Sequence, residues 1–198
     1  QLKTRYGRDW NTSYGLLEFI DRGLATRTFA GVRTRGAIVH GTAVQGQLQW
    51  SLGLQNGDTA GAAANAGEEG DPRFIVPGVN DDLDNELNLN FDVMWTSDPK
   101  VVHLNAAQGD LSHTMGYAGG VALMLANSRY SAAGVPTDLE STNLNLWGDW
   151  RSGTGIAVTG EYFMRSESPD GAGAADADSN GWQVAGTWTA AKIEGQPQ

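Results

Sequence analysis

The sequence predicts an all-β fold: an antiparallel sheet of about eight strands patterned as a transmembrane β-barrel. Three observations carry that prediction. Polarity alternates with period two along the apolar stretches, the signature of an amphipathic strand. The predicted strands from Thr34 onward, about nine to thirteen residues long, exceed the five or six usual in a globular sheet and suit a tilted strand crossing a bilayer, which takes about 9 to 11. Short turns alternate with long loops, so one edge of the sheet carries turns and the other carries loops.

In chain order, Gln1 to Tyr6 and Thr34 to Val44 open the series. In QLQWSLGLQ, Leu48, Trp50, Leu52 and Leu54 oppose Gln47, Gln49, Ser51, Gly53 and Gln55, a two-residue repeat that a helix does not produce. ELNLNFDVMW repeats the design, with Leu87, Leu89, Phe91, Val93 and Trp95 facing away from Glu86, Asn88, Asn90, Asp92 and Met94. Gly119 to Arg129 follows. TNLNLWGDWR then sets Leu144, Leu146, Gly148 and Trp150 against Asn143, Asn145, Trp147, Asp149 and Arg151. Thr154 to Ser166 and Gly181 to Lys192 complete the set; in the last, Trp182, Val184, Gly186, Trp188 and Ala190 alternate with Gln183, Ala185, Thr187 and Thr189.

Val44-Gln45-Gly46 and Ser152-Gly153 read as tight turns, and residues 7–33, 57–84, 130–139 and 167–180 as long loops. Thr96 to Ala118 departs from the scheme, because a short turn is due there. VVHLNAAQ inside it reads as a candidate added strand, which leaves the strand count open by two.

Two architectures accommodate such strands. A soluble β-sandwich turns its apolar face to a shared core, whereas an outer-membrane barrel turns it to lipid and lines a wet interior with the polar face. The polar face is rich in amides and charge, which suits a lumen and also a solvated sheet. The aromatic residues favour the barrel: Trp50, Trp95, Trp150 and Trp188 gather at the turn side, and Trp182 and Tyr162 towards the opposite rim, as girdles at two membrane interfaces require.

Composition removes other classes. With no cysteine and three histidines there is no disulfide framework, thiol nucleophile, Cys-ligated zinc or His-rich metal site. Neither a nucleophile elbow, nor HExxH, nor a glycine-rich loop leading into a helix is present, so the reading is not an enzyme and needs no cofactor. The longest apolar run, Tyr117 to Ala126, is far short of the roughly 18 to 20 residues of a membrane-spanning helix. Net charge is −10, with seven bases and three acids before residue 37, a net of +4, and −14 thereafter. Nucleic-acid binding calls for a basic stripe across the fold and is not expected.

The opening stretch QLKTRYGRDWNTSYGLLEFIDRGLATRTFAGVRTRGAIVHG resembles a segment of the phosphate-selective porin O/P family of bacterial outer-membrane barrels. The similarity lies in an ordered series: KTRYG from Lys3 to Gly7, Phe19-Ile20-Asp21-Arg22, then Arg33 ahead of Gly36, and later QWSLGLQNG and VTGEYFMR. The resemblance implies a sixteen-stranded porin barrel of which this chain is a central portion, opening inside a strand and closing on KIEGQPQ. It also implies a homotrimer in the bacterial outer membrane, with membrane lipid and lipopolysaccharide around it and small hydrophilic solutes, anions such as phosphate among them, passing through. The acidity departs from the family's phosphate-binding members, because an anion channel needs a cationic path and only the first 36 residues offer one.

Arginine suits such a path because its guanidinium stays charged and binds oxyanions through paired donors. The candidates are Arg22, Arg27, Arg33 and Arg35, carried by a connection whose apolar patch YGLLEFI lets it fold inward, with Lys3 and Arg5 on the strand before it. The competing reading is that Asp21 and Glu18 neutralise them in ordinary salt bridges. Glu86, Asp92, Asp149 and Glu161 are the lumen acids on strand alternation. DADSNG matches the first half of an EF-hand loop, placing Asp176, Asp178 and Asn180 as candidate calcium ligands, but Thr187 stands where the bidentate Glu is required. The alternative function is a soluble or surface β-sandwich module whose acidic loops hold calcium or carbohydrate. In the channel reading, reversal potentials across a salt gradient should show anion preference that falls when Arg22, Arg33 and Arg35 are replaced together by Ala. Cation selectivity untouched by the triple substitution would refute the anion path.

Overall fold

A computed structural model describes residues 2–3, 6, 8, 25–26, 33–34, 36–56, 87–102, 104, 109–132, 135–170 and 175–191. Nine strands occur among them: β1 Leu2–Lys3, β2 Arg33–Thr34, β3 Gly36–Ala43, β4 Leu48–Asn56, β5 Leu87–Thr96, β6 Met115–Ala132, β7 Val135–Ser152, β8 Ile156–Asp170 and β9 Ala177–Trp188. β1 pairs with β2, and β3 to β9 form one sheet in sequential order, each strand antiparallel to the next. Among the described residues β3 and β9 are its two edges, and they do not pair with each other.

The strands are amphipathic in the inverted sense. Along β5, Leu87, Leu89, Phe91 and Trp95 are exposed, while Asn88, Asn90, Asp92 and Met94 are buried. β4, β6, β7 and β8 follow suit, with Leu52, Leu123, Leu146, Trp150 and Tyr162 bare on one face, joined by Val184 of β9. Ser51, Gln55, Asn143, Asn145, Asp149, Arg151, Glu161 and Arg165 are buried on the other. We call these the outer and inner faces. Among the described residues no second layer covers the outer face.

Two long loops of the sequence reading are corrected. Tyr130 to Ala132 belongs to β6 and Val135 to Leu139 to β7, so these strands reach 18 residues each and pair from Met115↔Ser152 to Ala132↔Val135. Likewise Glu167 to Asp170 extends β8, and Ala177 to Asn180 begins β9. A hairpin arm needs only backbone pairing, and a stretch without alternating polarity gives the sequence no sign of it. The same extension leaves Trp182 and Tyr162, which are cross-strand partners, in mid-strand instead of at a rim. Trp50, Trp95, Tyr117, Trp150 and Trp188 are exposed towards the turn side, with Trp95 and Tyr117 rings 5.4 Å apart. The predicted loop over 57–84 lies outside the described residues, and of 7–33 only Arg8, Ala25, Thr26 and Arg33 lie within them.

VVHLNAAQ is not an added strand where it is described. Val101 and Val102 turn back with their N–H groups on the Asp98 carbonyl, and Val101, Val102 and Leu104 are buried against Met94, Ala118 and Trp147 on the inner face. Val101, Val102 and Leu104 of the connection between β5 and β6 therefore lie under the sheet. The connection is fastened at Asp110, whose Oδ2 accepts the N–H groups of Gly153 and Gly155, both at 2.9 Å, and whose Oδ1 accepts that of Thr114 at 3.2 Å. Gly155 has φ +93°, and a Cβ there would lie 2.1 Å from the Thr189 carbonyl oxygen, so glycine is required at this crossing.

The β3–β4 turn carries its own strain. Val44 and Gln45 have φ of 50° and 54°, followed by Gly46 at 88°. A β-branched residue in the left-handed region is unfavourable by about 1 to 2 kcal/mol, whereas Asn tolerates it. Val44 is exposed. Val44→Asn should therefore stabilise the fold by about 1 kcal/mol, read as a higher midpoint in urea titrations. A lower midpoint would contradict the turn geometry.

Candidate functional site

The inner face is built in hydrogen-bonded rows. One row runs Gln49, Met94, Gly120, Trp147, Glu161, Gln183 across β4 to β9. The neighbouring inward row towards the turns carries Asp149 opposite Thr159. Asp149 and Glu161 thus sit diagonally on adjacent strands, as the alternation of β7 and β8 dictates.

Trp147 is the aromatic member of the otherwise polar inward phase of β7, among Asn143, Asn145, Asp149 and Arg151. Its indole lies over Gly120, where a Cβ would come within 2.5 Å of the Trp147 Nε1. The missing side chain on β6 makes the space, and the indole becomes a platform. Arg8 rests on it, with its guanidinium carbon 4.5 Å from the ring centroid, a cation–π arrangement.

Arg8 is fully buried and joins three parts of the chain. Its Nη2 donates to Asp149 Oδ2 at 2.5 Å, its Nη1 to the Leu104 carbonyl at 3.3 Å, and its backbone N–H to Glu161 Oε1 at 2.5 Å. Glu161 is a hub: Oε1 also accepts from Asn145 Nδ2 at 3.1 Å, and Oε2 from Thr26 Oγ1 at 3.2 Å and Gln183 Nε2 at 2.9 Å. Gln183 Nε2 bonds Thr26 Oγ1 as well, at 2.8 Å. Tyr6 packs on Phe163, ring centroids 6.0 Å apart, in an apolar cluster with Ala122, Met124 and Ala126, flanked by Ala25. Residues 6, 8, 25 and 26 all therefore lie against the inner face.

Further along the wall, Arg165 Nε donates to Asn143 Oδ1 at 2.7 Å, and its guanidinium stands 3.6 Å from Glu167. Arg151 donates to the Val101 carbonyl and lies 3.7 Å from Asp149 Oδ1. Ser51 Oγ donates to Asp92. Among the described residues the buried charges are three bases, Arg8, Arg151 and Arg165, and four acids, Asp92, Asp110, Asp149 and Glu161, so base and acid nearly balance there although the chain as a whole is acidic.

Of the residues picked out in the sequence, Asp92, Asp149 and Glu161 do line the inner face, each holding a hydrogen-bond donor. Lys3 and Arg33 are cross-strand partners in the short β1–β2 pair. Arg5, Arg22, Arg27, Arg35 and Glu86 lie outside the described residues. Asp178 and Asn180 belong to β9 and are exposed, paired across to Ser166 and Met164, and the Asp176 carboxylate accepts from Ser168 Oγ at 2.7 Å. In an extended strand residues two apart share a face at a spacing of about 7 Å, so Asp178 and Asn180 do not form the tight loop that the EF-hand match would need. Among the described residues no three His, Asp or Glu side chains gather as metal ligands.

Arg8, Thr26 and Gln183 were not among the candidate site residues read from the sequence. The signal for their dock is the set of apolar residues in the polar phase, Met94, Trp147 and Phe163, which mark where other segments pack on the inner wall. No protein-family model, no curated protein and no solved structure matches the chain.

Gly120→Val should destabilise the fold by about 1 to 3 kcal/mol through displacement of the indole. Combined with Trp147→Ala it should cost less than the two single changes added together, because removing the indole vacates the space the new side chain needs. Strict additivity in denaturant titrations would contradict the platform.

Proposed function

We propose that the chain forms part of the wall of a β-barrel in a bacterial outer membrane, and that the barrel passes small hydrophilic solutes by diffusion without cofactor or turnover. One observation carries this reading: across the sheet, large apolar side chains stand on the bare face and polar or charged ones on the covered face. In water that arrangement is unfavourable twice over. A Leu or Phe left exposed forgoes about 1.5 to 3 kcal/mol of burial, and each buried polar group must find a partner. In a bilayer both demands reverse, because lipid takes the apolar face and the interior takes the polar one.

The same polarity counts against a soluble sandwich module, which would bury Leu52, Phe91 and Leu146 between sheets. The ordered resemblance to the phosphate-selective porin O/P family adds anions such as phosphate as the solute class and a trimer as the assembly. The six bases Lys3, Arg5, Arg22, Arg27, Arg33 and Arg35 are the proposed anion path.

Leu123, on the outer face at the centre of β6, is exposed. Leu123→Arg should cost about 2 to 4 kcal/mol in lipid vesicles if it stands near the bilayer midplane, whereas an exposed site in water should change by a few tenths. The unaltered protein should require detergent and migrate differently on gels before and after heating. A protein soluble without detergent, indifferent to Leu123→Arg, would end the barrel reading.

A further inference from the structure

We propose that the outer face fits a thin bilayer whose two surfaces cross the sheet obliquely, so that one row of cross-strand partners, Trp50, Val93, Val121, Leu146, Tyr162 and Trp182, runs from one membrane interface to the other. This rests on the membrane reading above and goes beyond it, because it assigns a depth to each outward side chain.

The apolar face has two margins, and neither follows the rows. The row through Trp95 is Leu48, Trp95, Gly119, Gly148, Gly160 and Val184. Relative to it, the exposed aromatic residues nearest the turns step steadily from strand to strand. Trp50 lies two residues towards the loops, Trp95 on the row, Tyr117 and Trp150 two residues towards the turns, and Trp188 four. The opposite margin steps in the same sense. Among the described residues the last apolar outward residue is Leu87 on β5, eight residues to the loop side of the row, then Leu125 at six, Leu144 and Met164 at four, and Trp182 at two. Asn127, Thr142, Ser166 and Asn180 occupy the next outward positions on β6 to β9, all exposed.

Two parallel margins are the imprint of two flat boundaries between water and hydrocarbon: amphipathic rings collect at such a boundary, and outward polar side chains begin beyond it. Each margin shifts by about 4 to 5 Å along the strand for about 4.8 Å across it, so the strands incline by about 40 to 45° to the membrane normal. Trp95 to Leu87 on β5 then projects to about 20 Å, against roughly 30 Å for the hydrocarbon core of a typical bilayer. Row mates consequently differ in surroundings. Leu125, Thr142, Ser166 and Asp178 are successive partners, yet they pass from apolar to charged, because each strand carries the row about 3 Å outward. Trp182, mid-strand in β9, reaches the far interface for the same reason, and β6 beyond Asn127 and β7 before Thr142 continue clear of the lipid.

The chain contains no cysteine, so a single Cys can carry a nitroxide at each outward position. Power-saturation EPR on the full chain in dilauroylphosphatidylcholine vesicles then reads depth from collisions with oxygen and with a water-soluble nickel chelate. Leu125→Cys, Thr142→Cys, Ser166→Cys and Asp178→Cys should become shallower by about 3 Å per strand, about 10 Å in all. Met164→Cys, on a different row, should match Leu125→Cys, and Val121→Cys should read deepest. The neighbouring row Leu123, Leu144, Met164 and Asn180 should repeat the gradient and serves where a label on the first blocks insertion. Equal depths along a row, with Met164→Cys deeper than Leu125→Cys, would overturn the oblique placement and leave the membrane reading standing. Labels that collide with the nickel chelate alone at every position would overturn both. The thinness has its own readout: urea midpoints should be lower in dioleoyl than in dilauroylphosphatidylcholine vesicles, because a thicker core leaves the apolar band too short. An equal or higher midpoint would overturn that part of the proposal.

Discussion

The buried pair between Arg8 and Asp149 is the contact on which the interior depends. It closes at 2.5 Å with neither side chain exposed, and the same arginine reaches the Leu104 carbonyl, the Trp147 ring and the Glu161 carboxylate. Three stretches of chain far apart in sequence are thereby held in one register. Desolvating two charges offsets much of their attraction, so such a pair contributes little net stability compared with an apolar substitute of the same shape. Its contribution is specificity: a guanidinium with fixed donor directions accepts one arrangement of its neighbours and rejects a slipped one.

Around that pair the wall solves a problem that follows from its inverted polarity. An inner face of amides and charges has no hydrophobic reason to bind anything, yet two segments lie on it. The sheet supplies two small apolar docks, one at Met124 and Phe163 for Tyr6, the other at Met94 and Trp147 for Val102 and Leu104. Polar contacts then fix orientation, through Glu161 on one side and Asp110 on the other. Burial provides the attraction and hydrogen bonds provide the geometry, the division of labour found in ordinary cores, transferred here to the inside of a polar surface.

The sheet was legible in the sequence wherever one face differs chemically from the other. Leu87 to Trp95 and Leu144 to Arg151 were assigned to strands with the correct faces, because a two-residue repeat of polarity has one structural meaning. The arms of β6 and β7 beyond Arg129 and before Glu140 were not, since backbone pairing alone sustains a hairpin and leaves no mark on side-chain type. Asp149 and Glu161 were correctly set on a common side. Their partner was missed because Arg8 lies 141 residues from Asp149, and no local pattern specifies a contact of that span. Trp147 and Met94 in the polar phase were visible, and they are the trace that such long-range contacts leave in the wall strands.

Among the described residues β3 and β9 are the edges of the sheet, which carries a consequence for biogenesis under the membrane reading. Each edge presents a row of backbone N–H and C=O groups, and every such group left without a partner in hydrocarbon is unfavourable by several kcal/mol. A strand-by-strand entry into lipid would expose those rows at each step. Insertion and edge pairing must therefore proceed as one concerted event, or under the shelter of an assembly factor that lends its own strand edge until the sheet has found its partners.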